Sequence, residues 1–426
     1  MKGADPQPTH PHSLLVRARV VLPVSRAPIR DGAVLISGNR IKNIGKWRDL
    51  ASVSEAVVDL GDRILMPGLV NAHCHLDYTT MAGTIPPQKK FTDWIKLITT
   101  SKSGWSFSEF AESWLAGVRM LERTGTTTVA DIEAAPDMLP EMWGASPMRI
   151  ISFIEMTGVK SRRDPRKILR EAVKFIYALP TGKSWASLSP HAPYSTVPKL
   201  LRYSAETARR HRWPITTHIA ESVQEFEMFM HARGDLFDWL RRNERNMDDC
   251  GLGSPVQHAQ RAGLLGKNFL AVHVNYLAAG DAALLSKSKT SVVHCPRSHA
   301  YFGHCPFPYA ELTAAKVNIC LGTDSLITVR KKPRQEIELN MFAEMKAFST
   351  ANPDVAPKTI LQMATVNGAR PLGMTGEVGE LSKGALADLI AIPYAGKLTG
   401  VAEAVVNFSG DVPVSMINGQ WVIAPK

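Results

Sequence analysis

The chain of 426 residues contains no run of about 18 consecutive apolar residues, the length a helix needs to cross a bilayer, so no transmembrane helix is expected. Cysteine is scarce. The residues at 74, 250, 295, 305 and 320 are too few and too scattered in so long a chain to form a disulfide framework. Met1 to His12 is rich in Pro and His without an apolar stretch, and Leu14 to Leu22 is interrupted by Arg17 and Arg19. A secretory signal is therefore not expected, and the expected compartment is a reducing cytoplasm. No internal repeat or low-complexity tract follows. The formal charge of +11 is unaccompanied by a helix-turn-helix, an aromatic RNA-binding strand or a C-x-x-C zinc pattern. Basic residues are spread along the chain, with short clusters only at 160–170 and 330–334. This excludes nucleic acid as the expected partner and leaves most of the charge as solvated surface, with a modest preference for anionic small molecules.

What is present is ample apolar material, 45% of residues, in a chain longer than the roughly 250 residues of one α/β barrel. The first 65 residues read as short strands at Val16 to Leu22, Gly32 to Ser37, Arg40 to Ile44 and Ala56 to Asp59, separated by turn signals. Ala387 to Ile392, Val401 to Phe408 and Val414 to Val422 read likewise, with Asn418-Gly419 as a hairpin turn. The termini are thus expected to join in one small β-domain. Between them, strand and helix patterns alternate, the signature of parallel β/α units. Ser106-x-x-Glu109 forms a capping box, followed by Phe110, Trp114, Val118 and Leu121 at helical spacing and by Gly125. Eight barrel strands are predicted: Leu69 to His73, Thr126 to Ala130, Arg149 to Ile154, Ala186 to Ser189, Ile215 to His218, Leu270 to His273, Ser291 to His294 and Asn318 to Leu321.

Chemistry-bearing residues stand at the ends of these runs. His73 and His75 close Ile64-Leu-Met-Pro-Gly-Leu-Val-Asn-Ala-His-Cys-His75, and at a spacing of two they share one strand face while Cys74 points away. Trp213-Pro-Ile-Thr-Thr-His218 ends a second run, with Glu221 just beyond. Phe269 to His273 and Val317 to Asp324 end two more. Imidazoles and a carboxylate in an ordered set suit a borderline divalent ion: Zn²⁺ first, with Fe²⁺ or Mn²⁺ also compatible. In a β/α barrel the strand C-termini form the active-site face, which brings residues so distant in sequence to one place.

These segments, with Ser189-Pro-His-Ala-Pro-Tyr194, His218-Ile-Ala-Glu221, His294-Cys-Pro-Arg-Ser298, Leu321-Gly-Thr-Asp-Ser325, Ala364-Thr-Val-Asn-Gly-Ala369 and Gly379-Glu-Leu-Ser-Lys-Gly-Ala-Leu-Ala-Asp-Leu389, resemble the amidohydrolase superfamily over nearly the whole chain. The branch is that of the nucleoside and nucleobase deaminases and triazine hydrolases. The resemblance implies an α/β fold: a (β/α)8 TIM-like barrel over 66–379, with a small β-sandwich built from 1–65 and 380–426. It implies one metal ion held by His73, His75, His218 and Asp324, with Glu221, His273 and Asp324 catalytic. A metal-bound hydroxide would attack an amino-bearing ring carbon and ammonia would leave. Glu221 would protonate the ring nitrogen; a helix N-terminal carboxylate merely complementing the dipole is the competing reading.

No lysine stands where dinuclear relatives carry a bridging one, and the fourth strand offers only His191. His191, Trp94 and Arg297 are the expected substrate contacts. Relatives usually carry Asn where His299 stands and Gly where Ser325 follows the Asp, which leaves substrate identity open. The expected activity is that of a hydrolase acting on C–N bonds of cyclic amidines. Its substrate class is an aminopurine nucleoside of the methylthioadenosine, adenosylhomocysteine or aminodeoxyfutalosine type. A guanine or other nucleobase deaminase and a triazine chlorohydrolase-like enzyme are the alternatives. A non-enzymic scaffold is disfavoured because every ligand is present, and a cytidine-deaminase-type zinc site because its Pro-Cys-x-x-Cys is absent. Arg297 and the 330–334 cluster tilt the expectation toward a substituent carrying a carboxylate. Neither a membrane nor a nucleic acid is an expected partner; a homo-oligomer is compatible with the sequence.

Overall fold

In a computed structural model, which describes residues 13–426 apart from 55, 161, 332, 333 and 335, the chain begins and ends in the same sheet. The strand Leu14–Val21 pairs antiparallel with Ile29–Ser37, which pairs with Arg40–Lys46. Its other edge is shared by Val57–Asp59 and Arg63–Pro67. Leu389–Pro393 then pairs antiparallel with Arg63–Pro67, and Val414–Ile417 and Gln420–Ile423 complete the sheet. Alternation along these strands divides their side chains between two cores. Leu65, Leu389 and Met416 pack with Val16, Val34 and Ile36, while Ile64, Met66 and Ile390 join the barrel core.

The sheet turns back on itself. Asn39, in the turn after Ile29–Ser37, donates to Asn418 Oδ1 at 3.0 Å, and Ile41 N–H donates to the Ala385 carbonyl. Asn418 and Gly419 have φ of 53° and 77°, the two left-handed residues that a tight two-residue hairpin requires. Val401 to Phe408 departs from expectation: Val401–Val406 is helical. Its buried residues Val401, Val405 and Val406 repeat at helical spacing, and a short apolar run rich in valine is ambiguous between the two periods.

The barrel follows directly from Arg63–Pro67. Its strands are Leu69–His75, Thr126–Glu133, Arg149–Met156, Trp185–Pro190, Ile215–Ile219, Phe269–His273, Ser291–His294 and Asn318–Leu321, each parallel to the next. The eighth is interrupted at Gly322-Thr323 and resumes as Asp324–Ser325, which pairs with Leu69–His75 and closes the ring. Packing decides that interruption. A Cβ on Gly322 would lie 2.8–2.9 Å from the backbone N and O and the Cβ of His73, so glycine alone lets the two strands approach this closely.

Local signals position the first helices. Ser106 caps Phe107–Arg123: its backbone N–H donates to Glu109 Oε2 at 2.7 Å while its hydroxyl accepts from the Glu109 N–H. Trp114, Val118 and Leu121 are buried on one face, and Gly125, at φ 80°, turns the chain into the second strand. Trp114 Nε1 and the Leu76 N–H both donate to the Asp131 carboxylate, tying this helix to the end of the first strand.

The Met1 to His12 segment and part of the 330–334 cluster lie outside the described residues. Among the described residues no helix is long and apolar enough to cross a membrane.

Candidate metal centre and active-site cavity

Three barrel strands, the first, fifth and eighth, deliver residues at or near their ends to one point. The ligand-capable atoms of His73, His75 and His218 all lie within 4.8 Å of one another. Asp324 Oδ1 lies 3.6 Å from His73 Nε2 and 3.7 Å from His75 Nε2. Its other oxygen accepts from Ser298 Oγ at 2.5 Å, which fixes the carboxylate's orientation. The His218 Nδ1–H donates to the His191 carbonyl at 2.8 Å, so the Nε2 lone pair faces the cluster, 3.3 Å from His75 Nε2. Both nitrogens of His73 and Nδ1 of His75 are buried without a hydrogen-bond partner. Burial holds the His75 and His218 imidazoles well below their usual range, which leaves neutral rings. Burial works to raise Asp324, yet the surrounding rings of His73, His273 and His75 keep it well below the usual carboxylate range. Neutral imidazoles with unclaimed lone pairs around an ionised carboxylate are the donor set of a divalent cation, and these residues fit one.

Glu221 and His273 stand beside this cluster, with His273 Nε2 3.7 Å from Glu221 Oε1. Burial, reinforced by Asp324 and Glu225, pushes the Glu221 carboxyl well above its usual range. Burial pushes His273 down to about 3. Glu225, itself raised to about 8 by burial, accepts the Glu221 N–H at 2.9 Å. The backbone here is strained: Ala220, His273, Val274 and Asp324 all have φ between 50° and 74°. For a β-branched valine this is a costly conformation, of order 1–3 kcal/mol. It is held by Val274 N–H to the Ile219 carbonyl and Asn275 N–H to the Ala220 carbonyl, both at 2.9 Å.

The cluster forms the floor of a cavity of about 350 Å³. Trp94, Ile95, Ile98, Thr99 and Lys102 line it from one face of the helix Phe91–Ser103, each separated from the next by one residue or about one turn. Trp239 and Leu240 roof it from the helix Asp235–Arg242, and a Lys90–Asp235 ion pair of 2.8 Å joins the two helices.

Of the expected substrate contacts, His191 and Trp94 reach the cavity and Arg297 does not. The Arg297 guanidinium is taken up by the buried Glu344 at 2.5 Å and the Glu338 carbonyl at 2.9 Å. Two elements explain this: Arg297 lies just after the seventh strand, but the helix Met341–Ala351 places Glu344 behind it. Sequence reasoning missed Lys102, Tyr78, Tyr194, Ser298 and Glu155. Glu155 had a legible signal, since it directly follows the predicted third strand, the position that marked the ligands on other strands.

A β/α barrel whose strand ends assemble a histidine-carboxylate metal centre is the architecture of a metal-dependent hydrolase. The sequence matches the amidohydrolase family over residues 64–422, and the chain belongs to that family. It is 30% identical over 379 residues to a 5-methylthioadenosine/S-adenosylhomocysteine deaminase of Syntrophobacter fumaroxidans, covering 85% of this chain and 80% of that one. Among solved structures, an adenosine deaminase from Xanthomonas campestris with bound zinc superposes with TM-score 0.83 at 23% identity, over 98% of this chain and 94% of that one. Helicobacter pylori aminofutalosine deaminase in complex with methylthio-coformycin superposes with TM-score 0.85 at 18% identity, over 96% of this chain and the whole of that one.

Proposed function

We propose that the protein is a hydrolytic deaminase of an aminopurine nucleoside, of the methylthioadenosine, adenosylhomocysteine or aminodeoxyfutalosine type, and that its resident metal is a single zinc ion. The observation that carries this reading is the pairing of a raised Glu221 with a lowered His273 beside the histidine-aspartate cluster, on the floor of an aromatic-walled cavity. The deaminase relative supports it. His73, His75, His218 and Asp324 would hold the ion, which supplies activated water at neutral pH.

An aromatic amidine carbon resists attack until the adjoining ring nitrogen is protonated. Glu221, whose protonated form burial favours, donates that proton, then takes the remaining proton of the attacking oxygen and hands it to the departing ammonia. His273, neutral at physiological pH, orients the attacking water by hydrogen bonding and supports charge developing on the oxygen. Ser298 aims the Asp324 carboxylate, which accepts the water's proton. Trp94 offers an aromatic face to the base, and His191, whose ring lies 4.8 Å from that of His218, meets the edge remote from the reacting carbon. The expected cation for a substrate carboxylate is not supplied by Arg297; Lys102 is the one lysine or arginine among the described residues lining the cavity.

Ammonia release from methylthioadenosine, adenosylhomocysteine, aminodeoxyfutalosine, adenosine, guanine and a chlorotriazine tests the reading, together with elemental analysis of protein purified without added metal. The expected outcome is about one zinc per chain and a purine nucleoside as best substrate. A preference of more than about tenfold for guanine or the chlorotriazine, roughly 1.4 kcal/mol of transition-state binding, overturns the nucleoside assignment.

A further inference from the structure

Glu155 is an acidic side chain of the cavity that the proposed reaction leaves without a task. It ends the third barrel strand, its side chain is 10% exposed, and it lines the cavity. No described residue donates a hydrogen bond to it. Its one ion-pair partner among the described residues is His191 Nε2 at 3.9 Å, and the other nitrogen of that ring is held by Ser195 Oγ at 2.6 Å. Lys102 does not pair with it; that ammonium donates to the Tyr78 hydroxyl at 3.0 Å. A carboxylate nine-tenths buried with its acceptors unclaimed is costly unless a ligand supplies the donors.

Its surroundings set the kind of ligand. Burial, Asp131, Asp77 and Glu155 push the buried Glu133 carboxyl well above its usual range. Glu155 therefore asks the ligand for donors, and Lys102 is the lysine or arginine among the described residues that shares the cavity with it. The position of Glu155 sets which part of the ligand it meets. From His218 the side chains step to His191 and then to Glu155, away from the metal cluster along adjacent strand ends. With the reacting ring at the cluster, Glu155 faces the substituent that the ring carries.

We propose that Glu155 determines specificity by accepting hydrogen bonds from a donor pair on that substituent. The proposal rests on the nucleoside-deaminase reading and names the chemistry of its substrate more closely. Two groups present such donors, the vicinal hydroxyls of a ribose and the ammonium of an amino-acid tail.

Steady-state ammonia release by the wild type and by Glu155→Leu separates them. The substrates are adenosine, 2′,3′-dideoxyadenosine, methylthioadenosine and adenosylhomocysteine, with metal content and thermal midpoint recorded for each protein. If the ribose is read, the wild type prefers adenosine over the dideoxynucleoside by about tenfold or more in kcat/KM, because a site built to bond hydroxyls rejects the analogue lacking them. That ratio collapses below about threefold in Glu155→Leu, mainly through KM. If the ammonium is read, the ratio of adenosylhomocysteine to methylthioadenosine collapses instead. A variant with metal bound and both ratios at wild-type values overturns the proposal and leaves the deaminase reading standing. Should the variant not fold, a wild type indifferent to both donor pairs overturns the proposal equally. A wild type that releases ammonia from none of the four overturns the deaminase reading and this proposal with it.

Discussion

Glu221 and Asp324 are both buried carboxyl groups, yet their neighbours drive them in opposite directions. Asp324 is surrounded by imidazoles and stays ionised, whereas Glu221 faces Asp324 and Glu225 and stays protonated. One site therefore holds two carboxyl groups driven apart by their surroundings, which suits Asp324 to the proposed ligand role and Glu221 to the proposed proton donor. Replacing Glu221 by Gln removes the transferable proton and preserves shape. Glu221→Gln is expected to retain its metal and its thermal midpoint and to lose on the order of 10²–10⁴ in kcat. A loss of less than tenfold would return Glu221 to the role of a helix-terminal carboxylate. At this scale much was legible beforehand. His73, His75, His218, His273 and Asp324 were identifiable because each closes an apolar run. The fate of Arg297 was not, because its partner Glu344 is 47 positions away and on another element.

The interrupted eighth strand shows what an element adds. Asn318–Leu321 pairs with the seventh strand and Asp324–Ser325 with the first, so the two intervening residues carry the chain across the closure of the ring. Thr323 N–H donates to the His73 carbonyl at 3.0 Å and Thr323 Oγ1 accepts from Asn71 Nδ2 at 2.8 Å. This junction thus sets the spacing between the His73 and Asp324 side chains. Gly322→Ala should force the two strands apart. The expected outcome is a metal content well below that of the wild type and a lowered thermal midpoint, read by elemental analysis and calorimetry. Full metal occupancy in that variant would show that the ring closes with slack. The helix Phe91–Ser103 carries the opposite lesson: its cavity-lining stripe of Trp94, Ile98 and Lys102 has ordinary amphipathic spacing, and only packing tells such a stripe from a core face.

Over the whole molecule, the strand Arg63–Pro67 lies between Leu14–Val21 and Leu389–Pro393 in the terminal sheet and continues at once into the first barrel strand. Buried Arg149 of the barrel pairs with buried Asp388, whose other oxygen accepts the Asn418 N–H at 2.7 Å. We propose that 1–65 and 380–426 form one composite domain on which the barrel of 66–379 depends. Deleting either terminal segment exposes apolar faces of the other, and deleting 380–426 also strands Arg149 without Asp388, a loss of about 3–5 kcal/mol for a broken buried pair alone. A chain of residues 66–380 is accordingly expected to be insoluble or to unfold without cooperativity, as judged by soluble yield and circular dichroism melts. A cooperative, active fragment would contradict this.

Sequence by itself determined the class of fold and the strands of the barrel, and it marked the residues that the fold gathers into the candidate metal centre. Strand ends are written locally, in apolar runs closed by His or Asp, and one fold rule places all such ends on one face. It also located the turn at Asn418-Gly419 and the capping box at Ser106, since each is a contract between residues at most three apart. Tertiary structure alone decided the rest. It turned Val401–Val406 into a helix, withdrew Arg297 behind Glu344, and brought Lys102 and Glu155 into the cavity, with no described residue donating a hydrogen bond to Glu155. Those outcomes depend on which distant side chain arrives opposite, and a linear pattern carries periodicity but not partners.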